Sequence, residues 1–164
     1  MLLKRRTAAP PRDRPDDFRR GVFRWLHAVM SDRIRTLPSD LDAAVSALDP
    51  DAARRFAAWC ARHTPHPGPD AVLALAEDVA DGRADAEDFD ALRQHLNGTA
   101  CAATVVGVKH GAANAPAFLA AFATLRPDAH AAARDAARWS LTAHAWNDTD
   151  ERFLAAALHA VRAA

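Results

Sequence analysis

The chain has 164 residues, half of them apolar, with 21 basic and 21 acidic side chains that cancel to a formal net charge of zero. That length suits one ordinary domain able to bury about two-thirds of its unfolded surface, and Cys60 and Cys101 form no CxxC pair and are too few for a disulfide framework. No apolar run approaches the ~20 residues of a membrane span, and no apolar segment follows the basic opening MLLKRRTAAPPRDRP, so the expectation is a cytoplasmic protein with no membrane partner.

Alanine accounts for 42 residues, about half of the apolar content. It forms helix readily because it loses no rotamer freedom, whereas the β-branched and aromatic residues that favour strands are scarce and tyrosine is absent. The composition therefore predicts an all-α domain of about seven or eight short helices, packed closely as antiparallel hairpins.

The zero net charge conceals a segregation: residues 1–35 carry +6, residues 36–98 carry −7 and residues 99–164 carry +1. Residues 1–15, with Pro10, Pro11 and Pro15, read as a flexible basic arm, and the helical domain spans 16–164. The arm is short and lacks the interleaved aromatics of a nucleic-acid binder, so nucleic acid is not the expected partner; the alternative, a nucleic-acid-associated regulator using residues 4–24, predicts salt-sensitive DNA binding that is lost on deleting the arm.

The first helix is predicted from Asp16 to Met30, where Phe18, Val22, Trp25, Leu26 and Val29 recur on one face. Ser39 with Asp42 then marks a cap that opens a short helix through Leu48. Asp49-Pro50 opens another, carrying Phe56 and Trp59, which ends before the loop HTPHPGP. Pro69-Asp70 begins a helix with Val72, Leu73, Ala76, Val79 and Ala80 inward, and Gly82 stands where a left-handed residue would stop it. Asp85 caps the next helix, whose buried stripe is Phe89, Leu92 and Leu96; the two elements form a helical hairpin. Residues 99–110 read as helix, with a strand as the alternative. Asn114 caps a helix through Leu125, and Arg126-Pro127-Asp128 opens a long one through Trp146. Asn147-Asp148-Thr149 caps the last, with Leu154, Ala157, Leu158 and Val161 inward.

The hairpin concentrates charge. Glu77, Asp78, Asp81, Asp85, Glu87, Asp88 and Asp90 fall within fourteen positions. Asp85, Glu87 and Asp88 are accounted for at a helix N-terminus, where exposed N–H groups favour negative charge. Glu77, Asp78 and Asp81 crowd the disfavoured C-terminal end of their helix, which points to a role outside folding. Glu77, Asp78, Asp81 and Asp90 are therefore the expected partner-binding residues.

Other constellations carry less. Cys60, His63 and His66 are zinc-ligand types, but no second ligand pair follows at a recognisable spacing and there is no HExxH, so neither metal nor cofactor is expected. His130, Arg134 and Arg138 form a basic ridge of the kind usually solvated. Ser140 lies toward His144 without a nucleophile elbow. A pocket at Trp139, His144 and Trp146 is the place for a helical enzyme or small-ligand binder, if the chain is one.

The run ALAEDVADGRADAEDFDALR, from Ala74 to Arg93, resembles the helical hairpin of immunity proteins from bacterial polymorphic toxin systems, and is similar to alanine-rich companion domains of bacterial repeat proteins. The shared feature is an apolar stripe ending in an acidic A-D-G-x-A turn, followed by a second helix opened by an acid. The resemblance implies an intracellular, non-enzymatic protein that neutralises a toxin by occlusion and meets a partner with a basic surface.

Overall fold

Proline and aspartate set the helix boundaries in the computed structural model, which describes residues 34–65, 70–85, 87–89, 92 and 114–164. All of these belong to one compact unit, residues 32–164. The secondary structure is all-α: α1 (Ser39–Ser46), α2 (Pro50–Arg62), α3 (Asp70–Ala80), α4 (Asn114–Ala123), α5 (Ala129–Ala145) and α6 (Asp150–Ala163). Six helices are thus named among the described residues where seven or eight were expected for the whole chain. The arm at 1–15, the expected helix at 16–30 and the segment 99–110 lie outside the described residues.

Two of the expected caps are built as the sequence suggests. The Asp49 carboxylate accepts from Ala52 N at 2.8 Å with Pro50 at the first helical position, and that of Asp128 accepts from Ala131 N at 2.6 Å. Two others are built differently. Ser39 lies inside α1, Pro38 takes the cap position without a side-chain bond, and the Asp42 carboxylate turns to Arg134. Thr149 holds the cap position of α6, but its hydroxyl turns back to His144 at the end of α5.

Two left-handed residues among those described each end a helix. Gly82 has φ +69°, its N–H donates to Val79 O at 3.1 Å, and Arg83 N donates to Asp78 O at 2.7 Å, the paired bonds of a Schellman turn. Asp148 has φ +53°, and Thr149 N donates to His144 O at 3.0 Å in the same way.

Helix α5 is the axis of the fold, with α2 and α4 packed along it and α6 folded back by a four-residue connection. The larger apolar cluster joins Leu41 and Val45 of α1, Phe56 of α2, Leu141 of α5, and Phe153, Ala157 and Val161 of α6. Phe153 is the buried aromatic of α6, while Leu154 and Leu158, expected inward, are half-buried at the cluster's edge. The smaller cluster joins Val72 and Leu73 of α3 to Phe89, Ala120, Ala121 and Leu125. Burying a side chain such as Phe153 or Leu41 contributes about 1.5–3 kcal/mol.

The contact between α2 and α5 is made mainly of methyl groups: Ala53 and Ala57 meet Ala133, Ala136 and Ala137, all at most 1% exposed. Small side chains let helix backbones approach toward the short end of the usual range, about 8 Å. The approach is close enough for Ser140, fully buried, to donate its hydroxyl to Cys60 O at 2.9 Å. Ser140 is therefore a bridge between helices and does not bond His144. The ridge of His130, Arg134 and Arg138 is likewise structural. His130 Nε2 bonds Leu48 O at 2.9 Å, Arg134 reaches Asp42 and Ser46 at 2.8 and 2.7 Å, and Arg138 pairs with Asp135 and covers the Trp139 ring.

Candidate functional site

The C-terminal end of α3 carries three of the four expected site residues, all partly exposed, and each is met by an arginine. Arg62, at the end of α2, forms a two-pronged pair with Glu77, Nε to Oε1 and Nη2 to Oε2 at 2.9 Å each, and also reaches Asp70 at 3.2 Å. Arg83, just beyond the Schellman turn, bonds Asp78 at 2.7 Å and Asp81 at 2.7 Å. The bond to Glu77 holds the Arg62 guanidinium above its ordinary range, and Asp78 does the same for Arg83. The acids crowded at the unfavourable helix end are thus offset locally. Asp90 lies outside the described residues.

Neutralisation is incomplete. Seven carboxylates between Asp70 and Asp88 face two arginines, and Asp85, Glu87 and Asp88 are exposed with no cationic partner among the described residues. Asp88 reaches back to accept from Asp85 N at 3.3 Å, which fixes the turn into the next helical residues, and Phe89 is buried beneath the Arg54 guanidinium, 5.2 Å above its ring. The turn after α3 thus presents exposed carboxylates at Asp85, Glu87 and Asp88.

A second surface was not anticipated. On α2, Phe56, Trp59 and His63 follow one another at i, i+3 and i+7, and the rings stack: Phe56 to Trp59 with centroids 6.1 Å apart, Trp59 to His63 at 4.2 Å. The stack continues onto α6 and α5, with Trp59 to Phe153 at 5.9 Å and Phe153 to His144 at 4.5 Å. His144 is held at both nitrogens, by His63 O at 2.7 Å from Nε2 and by Thr149 Oγ1 at 2.9 Å from Nδ1. A carbonyl can only accept, so Nε2 carries the proton, and burial lowers the imidazole below its ordinary value of 6.5.

Half-buried Trp59 borders three depressions that meet at its indole. One, of about 520 Å3, runs between α2 and α6 past Phe56, Ala156 and Ala160. The next, about 410 Å3, opens over His63, His144 and Phe153. The third, about 240 Å3, lies between α2 and α3 and is edged by Glu77 and Asp81. Together they form an open trough with an aromatic floor that touches the acidic hairpin at one end. Of the three residues expected around a pocket, His144 lines this trough, Trp139 packs against both apolar clusters, and Trp146 is half-buried at the end of α5.

Cys60 contributes nothing chemically accessible. It is fully buried, and desolvation pushes its thiol well above the ordinary range, disfavouring the thiolate that nucleophilic attack or zinc binding needs. Among the described residues no group of three His, Cys, Asp or Glu is placed to hold a metal ion, and no helix is long and apolar enough to cross a membrane.

Comparison with protein-family models, with curated proteins and with solved structures returned no match.

Proposed function

We propose that this chain is a non-enzymatic protein-binding domain acting in the cytoplasm, an immunity protein that neutralises a bacterial toxin by laying its acidic hairpin on a basic surface. The observation that supports this reading is the surplus of carboxylates at the hairpin: Asp85, Glu87 and Asp88 are exposed with no cationic partner among the described residues, beside Glu77, Asp78 and Asp81, which Arg62 and Arg83 hold. Fixed charges give fast, oriented capture because their side-chain entropy is already spent. The Schellman turn at Gly82 sets the direction in which the chain leaves α3 toward Asp85.

The test starts with affinity recovery of the native partner by the tagged full chain, identified by intact mass. Titration of that partner then compares wild type with the triple charge reversal Asp85→Lys, Glu87→Lys and Asp88→Lys, and with Glu77→Lys, Asp78→Lys and Asp81→Lys. The expected result is an association rate reduced about tenfold or more and a flattened salt dependence, with helicity by circular dichroism unchanged. Undiminished capture by both variants rejects the hairpin as the contact face.

A further inference from the structure

The arginines among the described residues are unevenly employed. Arg35, Arg62, Arg83, Arg126, Arg134 and Arg138 each pair with a carboxylate, and Arg54 is spent on the carbonyls of Arg126 and Pro127 at 3.3 and 2.6 Å. Arg55, Arg152 and Arg162 have no such partner among the described residues. Two of those three line the trough at Trp59, Arg55 between α2 and α6 and Arg152 beside His63 and Phe153.

Two independent features therefore coincide: the Trp59 ring left half-open to solvent over buried Phe56 and Phe153, and arginines with no carboxylate partner among the described residues. Exposed aromatic surface flanked by unpaired arginine matches the composition of binding hot spots, where a ring supplies buried area and the guanidinium a directional contact. The shape is open, and its three lobes meet at one indole, which suits a length of chain rather than an enclosed small molecule. Ala156, Ala160 and Ala163 on α6 keep the floor shallow enough for an aliphatic or aromatic side chain to lie flat.

We propose that the Trp59 trough is a second recognition surface, opposite in sign to the acidic hairpin, which takes an acidic segment of a partner protein carrying an apolar anchor. The anchor lies on Trp59 and Phe56 against the alanines of α6, and the segment's carboxylates meet Arg55 and Arg152. The lobe edged by Glu77 and Asp81 borders the hairpin, whereas Arg55 and Arg152 line the lobes between α2 and α6 and over His63, so the arginine variants test this surface without altering the hairpin acids.

The experiment uses the full chain and two fluorescein-labelled helical probe peptides of about fourteen residues, both with Leu and Phe on one face, one with Glu and the other with Lys on the opposite face. Fluorescence anisotropy at low salt is expected to give the Glu peptide about tenfold tighter binding than the Lys peptide. The pair Arg55→Glu with Arg152→Glu should invert that preference, Trp59→Ala should weaken both peptides, and Arg162→Glu, at an arginine outside the trough, should change neither. The arginine variants are at exposed positions and leave the core intact, so the proposal remains open to refutation if Trp59→Ala fails to fold. Equal affinities, preference for the Lys peptide, binding of neither, or indifference to the arginine pair overturns it. So does a concentration-dependent doubling of mass that the same variants abolish, which would make a second copy the occupant.

Discussion

Arg62 and Glu77 lie fifteen residues apart in sequence and meet in two parallel N–H···O bonds of 2.9 Å, closing the loop between α2 and α3. Both side chains are over a third exposed, so solvent screens the pair, and its two-pronged geometry rather than its charge sets it above an ordinary surface bridge. A double-mutant cycle of Arg62→Ala and Glu77→Ala, followed by urea denaturation, should give a coupling energy of about 0.5–1 kcal/mol that shrinks in about 0.5 M salt. A coupling near zero would mean that the pair contributes nothing to the hairpin's placement.

The two left-handed helix ends make opposite predictions. Alanine at Gly82 meets no atom within 4 Å, so its cost is backbone strain alone, and Gly82→Ala should destabilise by about 1–2 kcal/mol. Asp148→Gly removes the same kind of strain and should be neutral or stabilising by up to about 1 kcal/mol, after the added entropy of the unfolded chain. Thermal melts of the two variants suffice, and shifts of the same sign would contradict the account.

His144 links stability to acidity. Burial lowers its pKa in the folded state, opposed by the bond to His63 O and by Asp150 and assisted by His63. The unfolded chain therefore binds a proton at 6.5 while the native chain does not, so stability is full above 6.5 and declines as pH falls from there to the lowered native value, below which it levels off. Chemical denaturation between pH 7.5 and 5 should show this decline, reduced in His144→Gln. A nuclear magnetic resonance titration midpoint for His144 at or above 6.5 would contradict the assignment.

The seam of α2 and α5 predicts sensitivity to size rather than to chemistry. Ala136→Leu inserts three carbons where no space exists and should cost about 1–3 kcal/mol, whereas Ser140→Ala loses only one neutral hydrogen bond and should cost about 1 kcal/mol. Denaturation midpoints rank the two, and a larger loss for Ser140→Ala would locate the bond, not the fit, as the decisive element.

Cys60 supplies a probe of the same seam. With Cys101→Ser leaving a single thiol, the burial of Cys60 predicts negligible reaction with Ellman's reagent in the native state and a modification rate that tracks unfolding across a denaturant series. Rapid modification without denaturant would place the thiol outside the core.

Much of the helical frame is local in origin and so could be read from the chain. Asp49-Pro50 and Asp128 are caps whose partners lie three residues away, and Gly82 stops α3 with bonds spanning five residues. The acidic hairpin was visible for the same reason. Its neutralisation was half visible: Arg83 stands beside its acids in sequence, while Arg62 comes from another helix across a loop. The basic ridge on α5 reads as a solvated face from sequence because nothing local indicates that α1 lies against it, with Asp42 ninety-two residues from Arg134. The trough was least legible, since Trp59 meets Phe153 only after α6 folds back along α5 and α2. The i, i+3, i+7 spacing of Phe56, Trp59 and His63 was the available signal, and an aromatic stripe of that spacing ordinarily denotes core.

The flush contact of α2 with α5 has a mechanical consequence. Two rods whose surfaces are nearly smooth, joined by a buried latch from Ser140 to Cys60, cannot roll or slide without breaking that latch. Whatever seats against the indole therefore meets a wall fixed from both sides, by the seam on α2 and by Phe153, Ala157 and Val161 of α6 anchored in the same core.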